Sequence, residues 1–137
     1  MLSEEEVTLP VQSKALTILV VEDDEESQVL FTEALSLLTP YHVHVVRTGT
    51  EALHFVTQVK PSVFLIDYRL PQMSGIDLYD RLHAIVGLEN VPAIIISATT
   101  SEQLSRDIKS RNLSRLEKPF DLDVLLETVK QTLKRRT

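Results

Sequence analysis

The sequence contains no cysteine. Disulfides, thiolate metal centres and thiol nucleophiles are therefore excluded. Glycine is nearly as scarce: Gly49, Gly75 and Gly87 are the only three. They form neither a G-x-G-x-x-G turn nor a Walker loop, which excludes the usual nucleotide cradles. No apolar run approaches the length needed to span a bilayer. The first residues carry Glu4-Glu5-Glu6 and Pro10, not the basic-then-apolar order of a secretory signal. These absences read as a cytoplasmic protein with no membrane contact. Positive charge is also in deficit. A net charge of -6 argues against nucleic-acid binding through the field of the whole domain.

What remains is enough for one real core. The chain has 137 residues, 43% hydrophobic and 25% charged, ordinary values for a globular domain. No repeat or linker divides it. Residues 1–15 are polar and acidic and read as a mobile lead-in. Residues 16–137 read as one domain.

The central stretch is Val63-Phe64-Leu65-Ile66-Asp67. Four apolar residues running into an acid suggest a strand buried on both faces, as in a parallel sheet covered by helices. Asp67 would then stand at the carboxyl end of the strand, where ligands bind in open α/β sheets. Pro71 and Gly75 mark the loop that follows.

The same grammar recurs along the chain. Leu16 to Val21 is an apolar run ending in Glu22-Asp23-Asp24. A helix over 24–38 follows, with Leu30, Ala34, Leu37 and Leu38 as its apolar stripe and acids in its first turn. Residues 41–47 form a β-branched strand with His42 and His44 on one face. Lacking a third ligand nearby, the two imidazoles read as exposed edge residues and not as a metal site. Thr48 and Glu51 have the spacing of a capping box. Their helix turns Ala52, Leu53, Val56 and Val59 inward and closes before Pro61.

Ser74 or Gly75 starts the next helix, which buries Leu78, Leu82 and Ile85 and ends at Gly87. Residues 92–97 make a fourth strand with Pro92 at its start; Ser97, Thr99 and Thr100 follow its apolar run. A weak helix over 101–110 turns only Leu104 and Ile108 inward, and Asn112 suits the left-handed position that closes it. Residues 113–117 are the fifth and poorest strand, leading to Lys118-Pro119-Phe120. Asp121 caps a last helix with the stripe Leu122, Leu125, Leu126, Val129 and Leu133. Lys134, Arg135 and Arg136 complement its dipole and need not contact nucleic acid.

Five strands thus alternate with five helices, an α/β chain with a doubly wound parallel sheet. Four strand ends carry reactive groups: Glu22, Asp23 and Asp24; Asp67; Ser97; Lys118. Taken singly, each has a bland role, as a cap, a turn residue or a solvated charge. Their joint placement outweighs those roles. Clustered carboxylates are costly unless a cation screens them. Hard oxygen donors suit Mg²⁺, with Mn²⁺ as the alternative. A lysine and a hydroxyl beside them suit a transferred phosphoryl group, with Asp67 as the nucleophile that forms an acyl phosphate.

These pieces together resemble the receiver domain of two-component response regulators, over residues 16–133. The matching segments are Leu19 to Asp24, Leu65-Ile66-Asp67 with Pro71 and Gly75, Ile96-Ser97-Ala98, and Lys118-Pro119-Phe120. The resemblance implies the flavodoxin-like strand order 2-1-3-4-5. It implies that Asp67 accepts phosphate from a histidine kinase or phosphotransfer protein. Glu22 and Asp23 match the acidic pair that holds Mg²⁺, with Asp23, Asp67 and the backbone carbonyl of Arg69 as direct ligands. Ser97 matches the hydroxyl that moves to the phosphate, and Lys118 the salt-bridging lysine. The Lys118-Pro119 bond is often cis in that family. Such a domain is no conventional enzyme beyond its own phosphorylation and dephosphorylation. It switches contacts with a downstream protein on the side formed by the fourth helix, fifth strand and fifth helix. With nothing after the last helix, no DNA-binding output is expected.

Two positions depart from the family pattern. Arg115 stands where an aromatic usually turns inward on activation, and Arg111-Asn112 replaces a small Gly-Ala pair. Arg106, Lys109, Arg111 and Arg115 would make that side basic and suited to an acidic partner, unless they form an ordinary solvated face. Two rival functions are a receiver that docks without taking phosphate and a phosphatase of the haloacid dehalogenase type. The phosphatase needs a second aspartate two residues after its nucleophile, where this chain has Arg69.

Overall fold

The computed structural model describes residues 16–135. The lead-in expected over residues 1–15 lies outside the described residues. Five strands form one parallel sheet: β1 (Thr17–Val21), β2 (His42–Val46), β3 (Val63–Asp67), β4 (Ala93–Ser97) and β5 (Ser114–Glu117). Their order is 2-1-3-4-5, so the first crossover runs one way from β1 and the rest run the other. Helices α1 (Glu25–Leu38), α2 (Gly49–Phe55), α3 (Gly75–His83) and α4 (Glu102–Ser110) fill the four crossovers, and α5 (Leu122–Arg135) follows β5.

The apolar runs are central strands because both faces are covered. Side chains alternate across the sheet. Leu19, Val21, Phe64, Ile66 and Ile95 pack with Leu78, Leu82 and Leu104 on one face. Ile18, Val20, Leu65, Ile94 and Ile96 pack with Phe31, Leu35, Leu125 and Val129 on the other. Every residue of β3 and β4 is buried. At the edge, β2 exposes His42 and His44, in keeping with their reading as edge residues.

Caps start the helices where expected. Asp24, Thr48, Ser74 and Ser101 each accept the backbone N–H three residues on, filling a donor that a helix start leaves unpaired. Glu51 closes its box one residue early, accepting from Arg47 N–H at 2.7 Å. Asn112 adopts φ 56°, the left-handed conformation anticipated after α4. The Lys118-Pro119 bond is cis.

Several packing expectations are corrected. In α1 the buried residues are Phe31, Ala34 and Leu35, while Leu30, Leu37 and Leu38 are exposed. Two stripes of equal helical spacing competed, and the sheet took the one whose Phe31 stacks on Phe120, at 5.8 Å between ring centroids. α2 ends at Phe55, leaving Val59 exposed. α3 ends at His83, so Ile85 packs from the following loop and Gly87, at φ 97°, shapes that loop. On α5, Leu122 is exposed, and the Asp121 carbonyl accepts from Leu125 N–H at 3.1 Å.

After β3 the chain makes a two-residue antiparallel ribbon, Arg69–Leu70 against Met73–Ser74. Gln72 turns it with φ 71°. Gly75 then passes so close to β3 that a Cβ there would lie 2.6 Å from the Asp67 carbonyl oxygen.

Candidate functional site

Parallel strands in register deliver their carboxyl ends to one edge. Val21 pairs with Ile66, Asp67 with Ile96, and Ser97 with Glu117. Glu22, Asp67, Ser97 and Lys118 therefore stand at the ends of four adjacent strands.

Lys118 joins the acids. Its Nζ lies 3.3 Å from Asp67 Oδ1 and 3.8 Å from Glu22 Oε1. Both carboxylates are buried, Glu22 at 1% and Asp67 at 8% exposure. Burial disfavours the charged form, and it raises the pKa of each above the ordinary carboxylate range. The Lys118 ammonium opposes that rise in both cases. Glu22 Oε2 accepts from Asp24 N–H at 3.1 Å. Its other oxygen, Oε1, is buried with no hydrogen-bond partner among the described residues.

Ser97 is buried beside them, and its carbonyl accepts from Lys118 N–H at 2.9 Å. Its hydroxyl faces its own loop. Oγ accepts from Thr99 N–H at 2.8 Å and donates to the Thr99 carbonyl at 3.0 Å. Arg115, half-buried on β5, donates to that same carbonyl. Arg69 reaches the Thr99 hydroxyl at 3.5 Å.

Asp23 sits on the rim, half-exposed, 4.0 Å from the Arg47 guanidinium. Asp24 turns away to cap α1, accepting from Ser27 N–H at 2.9 Å. Sequence reasoning missed Arg47. The signal was available, because the order 2-1-3 puts the end of β2 next to the acids that end β1.

The edge offers a divalent ion only oxygen donors. Among the described residues, no three Asp, Glu or His side chains converge closely enough to hold an ion by themselves. One or two carboxylates would serve, with carbonyl oxygen and water completing the shell, as is usual for a small hard cation. The unpartnered Glu22 oxygen fits such a neighbour.

The basic side expected around β5 is largely neutralised from within. Arg111 grips Asp80 through two hydrogen bonds, at 2.7 and 2.9 Å, and pairs with Asp107 at 3.2 Å. Those hydrogen bonds, and then the guanidinium charge, hold the Asp80 carboxyl below its ordinary range. Arg106 lies 3.8 Å from Glu102, and Arg115 points to Thr99. Among the described residues, no helix is long and apolar enough to cross a membrane.

Comparison with known proteins agrees with this geometry. The family model described as the response regulator receiver domain matches residues 18–130. Sporulation initiation phosphotransferase F of Bacillus subtilis is 31% identical over 117 residues, 85% of this chain and 92% of the relative. Polar-differentiation response regulator DivK of Brucella anthropi is 26% identical, over 85% of this chain and 95% of the relative. The crystal structure of a putative response regulator from Chloroflexus aurantiacus superposes with a TM-score of 0.81 at 25% identity, covering 89% of this chain and all of that one.

Proposed function

The chain belongs to the response regulator receiver family of two-component signalling, and from that membership we propose that Asp67 accepts a phosphoryl group from a phosphohistidine. The donor is a sensor histidine kinase or a phosphotransfer protein, and the setting is the cytoplasm. The observation that carries the reading is the 3.3 Å approach of Lys118 Nζ to Asp67 Oδ1, with Glu22 beside both.

The chemistry is a displacement at phosphorus. An oxygen of the Asp67 carboxylate forms the new P–O bond as the P–N bond to the donor imidazole breaks. The electron pair stays on the imidazole nitrogen, which takes a proton from solvent. Lys118 stands where it can pair with a phosphoryl oxygen. Ser97 turns its hydroxyl from the Thr99 carbonyl to another. Glu22, Asp23, Asp67 and the carbonyl of Arg69 would hold Mg²⁺, or Mn²⁺ in its place. When bound, the ion screens the carboxylates from each other and neutralises charge on the phosphoryl oxygens. The protein is a substrate of its own catalysis and not a turnover enzyme.

The phosphoryl group brings roughly two negative charges to the strand edge. Moving Ser97 removes one of the donors on Thr99, while Arg115 stays attached to the same carbonyl from β5. That linkage gives a route from the site to the α4–β5–α5 side, where a downstream protein partner would read the change.

The test is phosphorylation by acetyl phosphate, with and without Mg²⁺, in the parent and in Asp67→Asn. Mg²⁺-dependent labelling in the parent alone is expected. Labelling that survives in the variant would move the acceptor elsewhere.

A further inference from the structure

Lys118 is not the only counter-ion of the acidic edge. The Arg47 guanidinium, just past β2, lies 4.0 Å from Asp23 Oδ1 and 3.9 Å from Glu25 Oε2. Its backbone is held on both sides. Arg47 N–H donates to Glu51 Oε1 at 2.7 Å, and the Val46 carbonyl accepts from Glu22 N–H at 2.9 Å. The end of β2 is thereby tied to the end of β1 that bears the acids. The two cations divide those acids: Lys118 faces buried Glu22 and Asp67, and Arg47 faces exposed Asp23 and Glu25.

We infer that Arg47 is a positioning residue that weakens the hold of the acidic edge on its divalent cation by competing for Asp23. The inference rests on Asp23 being a ligand of that ion, as proposed above. A carboxylate that turns to a metal must release its guanidinium, and a fixed positive charge nearby opposes the arrival of another. Both effects have the same sign. Both act between solvent-exposed groups, so salt screens both. A pair this exposed is worth a factor of about two to five in an equilibrium constant.

Mg²⁺ titrations of the full chain, followed by backbone amide shifts, test this without any phosphorylation. R47Q is expected to bind Mg²⁺ about two- to fivefold more tightly than the parent at low salt. R47K, which keeps the charge, should bind like the parent. The ratio between R47Q and parent should fall towards one at about 1 M salt, where screening is nearly complete. Equal affinity in R47Q and a responsive parent overturns the inference alone. So does a gain that is undiminished by salt. A parent that shows no Mg²⁺ response overturns the metal reading and this inference with it.

Discussion

Lys118 Nζ lies 3.3 Å from Asp67 Oδ1 and also faces Glu22, whose carboxylate is almost wholly buried. One ammonium thus serves two buried acids. Replacing Lys118 with Met leaves Glu22 without its ammonium and Asp67 with only the more distant charge of Arg69, and breaking a fully buried pair in this way costs several kcal/mol. Because Lys118 is itself about a third exposed, we expect a loss of about 1–3 kcal/mol in urea unfolding. Asp67→Asn should recover part of that loss in the double variant, since one of the stranded charges is then gone. Strictly additive effects would show that the ammonium and the carboxylate do not interact.

The raised pKa values of Asp67 and Glu22 have a definite consequence for stability. A carboxylate whose pKa is higher when folded binds protons more readily in the folded state. Its contribution is fully present below the unfolded pKa and is lost as pH rises through the folded pKa. At neutral pH the ionised pair therefore works against folding. Asp67→Asn should raise the melting temperature at pH 7 in the absence of divalent ions, and it should flatten the stability profile on the acid side of neutrality. Lower stability of the variant at pH 7 would contradict burial as the dominant cause.

Arg115 and Ser97 share the Thr99 carbonyl as an acceptor. Arg115 Nε is buried without a partner, so this guanidinium is held mainly by its bond to the loop. Arg115→Ala should loosen residues 98–100 and cost about 1–2 kcal/mol, the usual range for a hydrogen bond to a charged group less exposure. Amide exchange in that loop should accelerate about tenfold, the same order of free energy, with protection in β3 unchanged. Uniform acceleration across the sheet would mean that Arg115 supports the whole fold and not the loop.

Strand ends were legible in the sequence because a buried parallel strand has no polar residue until it leaves the core. Asp67 and Ser97 each appear at that transition, whereas Lys118 follows the polar strand Ser114–Glu117 and was legible only through the Lys118-Pro119-Phe120 segment and the alternation of strands and helices that carried it to the same edge. Helix faces were less legible. Of the expected stripe only Ala34 is buried; Leu30, Leu37 and Leu38 recur with it at helical spacing just as Phe31 and Leu35 do, and only packing in the core, with Phe120 against Phe31, separates the two sets. Arg111 misled for a related reason. A guanidinium long enough to reach across to Asp80 on α3 looks, along the chain, like one more charge on α4. Asp23 and Arg47 are neighbours only because β2 lies beside β1, a relationship that no local pattern contains.

Gly75 and Gly87 separate two reasons for using glycine. A Cβ on Gly75 would meet the Asp67 carbonyl oxygen at 2.6 Å, Ile66 Cγ2 at 3.0 Å and Tyr68 Cα at 3.1 Å. Two of these atoms are backbone of the segment that aims Asp67, so relief of the clash must move that segment. Gly75→Ala should cost about 1–3 kcal/mol, as other overpacking substitutions do. It should also slow phosphoryl capture, because a shift of about 1 Å at a reacting group is enough to lower a rate sharply. At Gly87 nothing lies within 4 Å of the added carbon, and only φ 97° opposes it. Gly87→Ala should therefore cost about 1 kcal/mol through backbone strain and leave capture unchanged. Measuring melting and acetyl phosphate labelling on both variants distinguishes them. Equal labelling by the two would mean that the close passage of α3 under Asp67 is not what holds the carboxylate in place.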